Sequence, residues 1–390
     1  MTASSHYAVV ARNVFDGDRV RKDAAVIIDG ELVVDVMARS ELPAALPVHA
    51  LPDDAWLAPG FIDVQVNGGG DVLFNDEPTP QAINAIARAH RRFGTTGLLP
   101  TLISDTPAKM RAALSAVQQA ALENPSILGI HFEGPFLATE KPGVHDPSTF
   151  RSPDQSATDL LTSWPSGAVL VTLAPERVPA DFISTLVRAG VHVSLGHTAA
   201  TYDQAKAAFA QGATGVTHLF NAMPPLASRA PGPIAAALET PGVWFGLIVD
   251  GEHVDPAMLR LVLRAAVARP MLVTDAMPPV GGTESSFLID GNEIQARNGR
   301  LTRADGTLAG SALDMVSAVR NAVQMLGVPF TDALRFASTE PAEFLGLEHR
   351  LGRLAAGLRA DMVAVEPVQV RVLETWVAGR ATGRVDCNSA

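Results

Sequence analysis

Of the 390 residues only one is a cysteine, Cys387, near the C-terminal end. A lone thiol closes no internal disulfide and has no second thiolate with which to hold a metal. A disulfide scaffold and a thiolate metal site are therefore excluded, and a reducing compartment, the cytoplasm, is the expected location. Clusters of lysine or arginine are missing too. With a formal net charge of −11 the overall field repels nucleic acid and anionic membrane, so neither is an expected partner. Any anionic ligand must be held by local groups. No stretch approaches the roughly 20 apolar residues of a membrane span. The segment from Met1 to Val14 lacks the basic region and apolar core of an export signal, and the expectation is a soluble, unexported protein.

What the chain has in quantity is apolar material, 47% of its residues, enough for one large domain and a smaller one. The first segment alternates short β-type runs, such as Tyr7-Ala8-Val9-Val10 and Ala25-Val26-Ile27-Ile28, with turn signals such as Asp16-Gly17-Asp18 and Asp29-Gly30. After Trp56-Leu57-Ala58-Pro59-Gly60 the texture becomes a repeat of apolar strand, polar loop and alanine-rich amphipathic helix. Strands are predicted at residues 61–66, 97–101, 127–133, 169–173, 191–197, 214–218, 243–250 and 271–275. Helices are predicted at 81–93, 107–122, 181–189, 202–211, 256–268, 313–326 and 332–345. Eight such repeats, with no glycine-rich dinucleotide fingerprint after the first strand, favour a closed (β/α)8 TIM-type barrel over an open doubly wound sheet. Residues 281–310 interrupt the period and read as a β-hairpin insertion. The C-terminal segment returns to β character. The expected organisation is a small discontinuous β-sandwich from both termini, residues 1–57 plus 355–390, flanking a barrel over 58–354.

Glu133, His197, His218 and Asp275 each end a short apolar run of this repeat: Ile130-His131-Phe132-Glu133, Ser194-Leu195-Gly196-His197, Val216-Thr217-His218 and Val273-Thr274-Asp275. In a parallel barrel those ends face one mouth. Taken singly, each reads as an ordinary polar residue near a loop. Their recurrence at homologous points of the repeat favours a site. Two imidazoles and a carboxylate, Glu133, His197 and His218, suit a divalent cation and leave a position open for water, the pattern of a catalytic centre. His192, His6, His49, His90 and His349 read as structural, and His131 as core or support for the site. After the sixth strand, residues 221–229 read either as a proline-stiffened loop with a solvated arginine or as candidate donors to an anion, through the backbone amides of Asn221 and Ala222 and the forked guanidinium of Arg229. The Asn67-Gly68-Gly69-Gly70 cluster lacks the Lys-Ser/Thr of a P-loop and reads as a tight turn.

Several segments resemble the N-acetylglucosamine-6-phosphate deacetylases of the amidohydrolase superfamily. They are Ala58-Pro59-Gly60-Phe61-Ile62-Asp63, His131-Phe132-Glu133-Gly134-Pro135-Phe136, Ser194-Leu195-Gly196-His197-Thr198, Thr217-His218-Leu219-Phe220-Asn221-Ala222-Met223 and Val273-Thr274-Asp275-Ala276-Met277. The resemblance implies a barrel with a flanking β-sandwich, a homodimer, and cleavage of the acetamide of a phosphorylated amino sugar. It implies Asp275 as the general base and acid, and His145 as a group polarising the acetyl carbonyl. Gln65, Val144, Asn221, Ala222, Arg229, His253, Leu308, Ala309 and Gly310 fall at substrate-contacting positions. Many amidohydrolases carry His-x-His after the first strand and a bridging lysine after the fourth. Here Gln65-Val66-Asn67 and Thr172-Leu173-Ala174-Pro175 stand in those places, so one divalent ion per subunit is expected. Zinc is the first choice, and the donor set also suits iron, manganese or cobalt. The galactosamine epimer remains an alternative substrate. A cyclic amidohydrolase is disfavoured by the missing second-metal anchors, and a non-catalytic sugar-phosphate sensor by the intact metal donors and Asp275.

Overall fold

The structure is a computed structural model that describes residues 6–297 and 299–382, and Cys387 lies outside them. The described chain forms two compact units. The first holds the residues up to Asp63, His90–Gly97, and those from Met315 onward; the second holds Val64–Ala89 and Leu98–Asp314.

Eight parallel strands form a nearly closed barrel in sequence order. They are Phe61–Val66, Thr95–Ile103, Gly129–Glu133, Ala168–Leu173, His192–Leu195, Gly215–Val216, Trp244–Leu247 and Arg269–Leu272. The first five are almost wholly buried, and the fourth, Ala168–Leu173, reads accordingly as a nearly continuous apolar run, whereas the first buries the polar Asp63 and Gln65 as well. Beyond the last strand the chain meets the first again. The Asp275 N–H donates to the Gln65 carbonyl at 3.0 Å, and Ala276 pairs with Val66. Helices alternate with the strands, and their starts follow from side chains that satisfy the orphan amides of a first turn. Thr106 caps Pro107–Glu123, Asp255 caps Pro256–Ala265, and Thr201 with Gln204 forms a reciprocal capping box on Tyr202–Ala210. Two helices, Gln155–Leu161 and Gly232–Leu238, appear where the sequence reading placed none.

Between the last barrel strand and residue 314 lies an antiparallel sheet of three strands, Ser286–Ile289, Asn292–Arg297 and Arg300–Thr302. Its first turn, Asp290-Gly291, has positive φ at both residues, 49° and 77°, the conformation that suits a two-residue hairpin. Ile289, Ile294, Leu301 and Ala309 cluster with Leu73, Ile103, Val144 and Met277.

In the other unit an eight-stranded mixed sheet joins chain segments far apart in sequence. His6–Phe15, Val20–Asp29 and Leu32–Ala38 form an antiparallel meander. Trp56–Pro59 pairs antiparallel with Met362–Glu366, which continues to Arg371–Val377 and Arg380–Ala381. Val9, Val26, Ile28, Leu57, Met362 and Trp376 fill one core between these halves. The single helix expected over 332–345 is two, Phe330–Ala337 and Thr339–Phe344. The break is at Ser338, whose φ of −133° and ψ of −68° leave the helical region and whose hydroxyl turns back to the Leu334 carbonyl at 2.7 Å. Among the described residues no helix is long and apolar enough to cross a membrane.

Candidate active site

Glu133 is the last residue of the third barrel strand, whereas His197 and His218 lie two residues beyond the fifth and sixth strands and Asp275 three beyond the eighth. Past the strand ends the backbone turns left-handed at these residues: φ is 46° at His197, 31° at His218 and 53° at Asp275. Such values are costly for residues with a Cβ and persist where the surroundings over-determine them. The turn swings each side chain toward the barrel mouth.

Glu133 Oε1, His197 Nε2 and His218 Nε2 form a triangle with edges of 3.2, 3.0 and 3.1 Å. Tetrahedral ligands at about 2.0–2.1 Å from a common ion lie about 3.3 Å apart, so the triangle is close to the spacing a divalent cation imposes. His197 Nδ1 donates to the Lys141 carbonyl at 2.9 Å, which leaves its Nε2 lone pair facing the other two donors. All three residues are buried, and theirs is the one group of metal-ligating side chains among the described residues. Burial raises the Glu133 carboxyl, but hydrogen bonds and charge from the two imidazoles outweigh it and hold the group well below its ordinary range. Burial pulls His218 down, and the same carboxylate more than reverses this. The donor set fits a divalent ion.

Asp275 sits beside this triangle under a different regime. Burial and then the Glu133 charge push its carboxyl up to about 6. Its Oδ1 accepts the side-chain amides of Asn67 at 2.6 Å and Gln65 at 3.1 Å, and the same Gln65 nitrogen donates to Glu133 Oε1 at 3.1 Å. The neutral Gln65 amide thus bridges the two carboxylates, and the Asn67 amide orients Asp275 alone. Below them His131 is bound into the barrel by the Val64 carbonyl at 3.0 Å and the Thr172 hydroxyl at 2.7 Å; burial lowers it to about 4. Thr172 also pairs with Thr217 at 2.6 Å, so the fourth strand supplies one hydroxyl here and the residue after the sixth strand another.

His145 is buried, its ring centroid 4.3 Å from that of His197. Its Nδ1 accepts the Ser104 backbone N–H at 3.2 Å and lies 2.9 Å from the Ser104 hydroxyl. A backbone amide can only donate, so the ring proton is on Nε2. Burial, then the charge of His197, holds the imidazole well below its usual pKa, so it is a neutral Nε2–H donor. His253 is fixed by Asp250. One carboxylate oxygen accepts His253 Nδ1–H at 2.6 Å, and the other accepts the amides of Glu252 at 2.9 Å and His253 at 3.0 Å. Burial raises the Asp250 carboxyl, but these bonds outweigh it and leave it lowered.

The anion donors need one correction. The Asn221 N–H is donated to the His218 carbonyl at 2.9 Å, and its side-chain amide reaches the same oxygen at 3.1 Å, so this backbone amide is engaged within the loop. The Ala222 amide follows in a loop with positive φ at Phe220 and Ala222, 81° and 50°. Arg229 is exposed, on a turn closed by the Ala227–Ala230 bridge. Leu308-Ala309-Gly310 runs beside Asp275, where Ser311 N–H donates to the Asp275 carbonyl at 2.9 Å. At Gly310, φ is 62° and a Cβ would stand 2.9 Å from the Asp275 carbonyl oxygen, so glycine is favoured there. Sequence reasoning named Asn67 only in the Gln-x-Asn replacement of a metal anchor and in a tight turn, and gave no role to Ser104 or Asp250. The Asp-x-x-His spacing of an Asx-type turn was a usable signal for Asp250; Ser104 offered none.

The amidohydrolase family model matches residues 56–387, and the chain belongs to that family. It is 42% identical over 342 residues to the N-acetylgalactosamine-6-phosphate deacetylase of Shewanella sp. (strain ANA-3), covering 87% of this chain and 86% of that protein. The crystal structure of N-acetylglucosamine-6-phosphate deacetylase from Pasteurella multocida superposes with a TM-score of 0.94 at 34% identity, covering 97% of this chain and 100% of the other. A mutant of the Mycobacterium smegmatis N-acetyl-D-glucosamine-6-phosphate deacetylase, solved in complex with N-acetyl-D-glucosamine-6-phosphate, matches with a TM-score of 0.89 at 35% identity over 97% and 99% of the two chains.

Proposed function

We propose that this protein hydrolyses the acetamide of N-acetyl-D-glucosamine 6-phosphate to D-glucosamine 6-phosphate and acetate. The observation that carries this reading is the convergence of Glu133, His197 and His218 beside an Asp275 carboxylate steered by two amides. The deacetylases among its relatives support it. One divalent cation per subunit, zinc foremost, bound by those three donors would supply Lewis acidity and an activated water at neutral pH. Asp275 accepts the proton of the attacking water and returns it to the departing sugar nitrogen, a task suited to a carboxylate held beside the three donors by the Gln65 and Asn67 amides. His145 donates Nε2–H to the acetyl oxygen as charge develops there. His253, oriented by Asp250, faces the sugar or its phosphate. The Ala222 amide and Arg229 take the phosphate, with Gln65, Val144, Asn221, Leu308, Ala309 and Gly310 lining the rest of the substrate, and the working unit is a homodimer.

The galactosamine epimer is the second reading, favoured by the 42% identity to the Shewanella enzyme. Acetate release should be measured from both epimeric 6-phosphates and from unphosphorylated N-acetylglucosamine, before and after chelation. Metal-dependent turnover of the glucosamine ester, far above that of the free sugar, is expected. A higher kcat/KM for the galactosamine ester moves the assignment to that epimer. Turnover that survives full chelation, or that ignores the phosphate, rejects the proposal.

A further inference from the structure

The three strands between Ser286 and Thr302 take no part in the chemistry just proposed, yet the segment that carries them is fastened to loops that do. Asp71, after the first barrel strand, accepts the backbone amides of Thr283 at 2.9 Å and Glu284 at 3.0 Å. Arg300 meets Glu252 in the His253 loop at 3.0 Å, although both side chains are well exposed and such a pair contributes little. The third fastening is of another kind. Arg303 Nη2 donates to the Val144 carbonyl at 2.7 Å, and Val144 is the residue before His145. The Val144 side chain is itself buried among Ile289, Ile294, Leu301 and Ala309. Arg303 Nε is buried without a hydrogen bond, and Nη2 makes the bond of this head group to the loop.

On its opposite side the same loop is pressed against a metal donor. Lys141 supplies the carbonyl that fixes His197 Nδ1, and a Cβ on Gly143 would lie 3.1 Å from His197 Cε1. The His145 ring follows, held at Nδ1 by Ser104. Ser104 therefore fixes the imidazole at one end, and the peptide joining Val144 to His145 fixes it at the other. Rotation of that peptide would move Nε2 relative to any oxygen it is to meet.

We propose that Arg303 is a positioning residue for the deacetylation, acting through the Val144 carbonyl to hold the His145 Nε2–H on the acetyl oxygen. This rests on the function proposed above. The charge-assisted bond outlasts thermal excursions that a neutral contact would permit. Arg303→Met keeps most of the apolar stem and leaves the carbonyl without its donor. Because displacements on the order of 1 Å cost about 100-fold in rate, the loss belongs on kcat.

Steady-state kinetics on wild type, R303M, R303K, H145Q and R303M/H145Q test this, with thermal midpoints as the check on folding. R303M is expected to lower kcat about tenfold or more with KM within about twofold, and R303K to recover part of the loss by restoring a cationic donor. In the H145Q background R303M should cost less than about twofold, because the residue it positions is gone. R297M, on the neighbouring strand, should match wild type. Wild-type kcat in R303M, or the same fold loss with and without His145, overturns the proposal. Should R303M be unstable, R303L, which likewise has no donor for the Val144 carbonyl, provides the same comparison. A wild-type protein that releases no acetate from either hexosamine 6-phosphate overturns the functional reading, and with it the role assigned to Arg303.

Discussion

Buried charges in the terminal sheet and at the barrel mouth are treated in opposite ways. In the sheet unit, Asp361 accepts Arg359 Nε at 3.0 Å, a second bond from Arg359 Nη2, and the Ala378 amide at 2.8 Å. Glu374 meets His49 at 2.8 Å, and Asp16 meets Arg21 at 2.7 Å. Each carboxylate has a basic partner from its own unit. At the mouth, Glu133 and Asp275 share a neutral amide from Gln65, and the imidazoles facing Glu133 are themselves suited to bind a cation. Charge that stabilises a fold is matched within the chain, whereas charge kept for chemistry is oriented by neutral groups and left to be matched by a ligand.

Removing one carboxylate from each region should therefore damage different properties. Asp275→Asn is expected to lower kcat about 10³-fold or more, while metal content and the thermal midpoint at neutral pH stay near wild type. Retained turnover in that variant would place the base elsewhere. Asp361→Ala leaves Arg359 buried without its partner and should cost about 3–5 kcal/mol in denaturant unfolding, with kcat per folded molecule unchanged. A loss of kcat without loss of stability in D361A would erase the distinction.

The two regions should also respond to pH with opposite sign in metal-free protein. Burial raises Asp16, but the amides of Arg19 and Asp18 and the Arg21 side chain outweigh it and hold the carboxyl below its ordinary value. Its stabilising contribution is present above the usual carboxylate range and disappears as pH falls through the folded pKa. Asp275 is raised from 3.8 to about 6, so the folded state holds its proton more tightly. Its unfavourable contribution grows as pH rises between those values and is complete above the higher one. Thermal midpoints of chelated protein should show D275N gaining on wild type at about pH 8 but not at about pH 4. D16N should lose at about pH 8, with its deficit fading in acid. The same sign for both variants would contradict this contrast. The smallest expected effect is that of Arg300→Met, which removes an exposed pair with Glu252 and should change stability by less than about 1 kcal/mol.

Much of the barrel was legible because strands buried on both faces leave short, mainly apolar runs; the first strand, Phe61–Val66, has the bounds its sequence predicts even though Asp63 and Gln65 interrupt it. The site residues were legible because they end such runs. Less visible was how they leave the strand. Left-handed φ at His197, His218 and Asp275 depends on packing around the mouth, and nothing in the residue type announces it. The helix Gly232–Leu238 was hidden by Ala230-Pro231-Gly232-Pro233, a sequence that reads as a loop although proline suits a first helical turn. The roles of Ser104 and Arg303 rest on contacts across 41 and 159 residues, a range over which local pattern carries no information.

The most direct test of the account is the metal content of the purified protein measured against chain concentration. One divalent ion per chain, lost in Glu133→Gln and in His197→Asn, is the predicted result. Two ions at full occupancy, or none even after exposure to excess zinc, would contradict a single cation held by Glu133, His197 and His218.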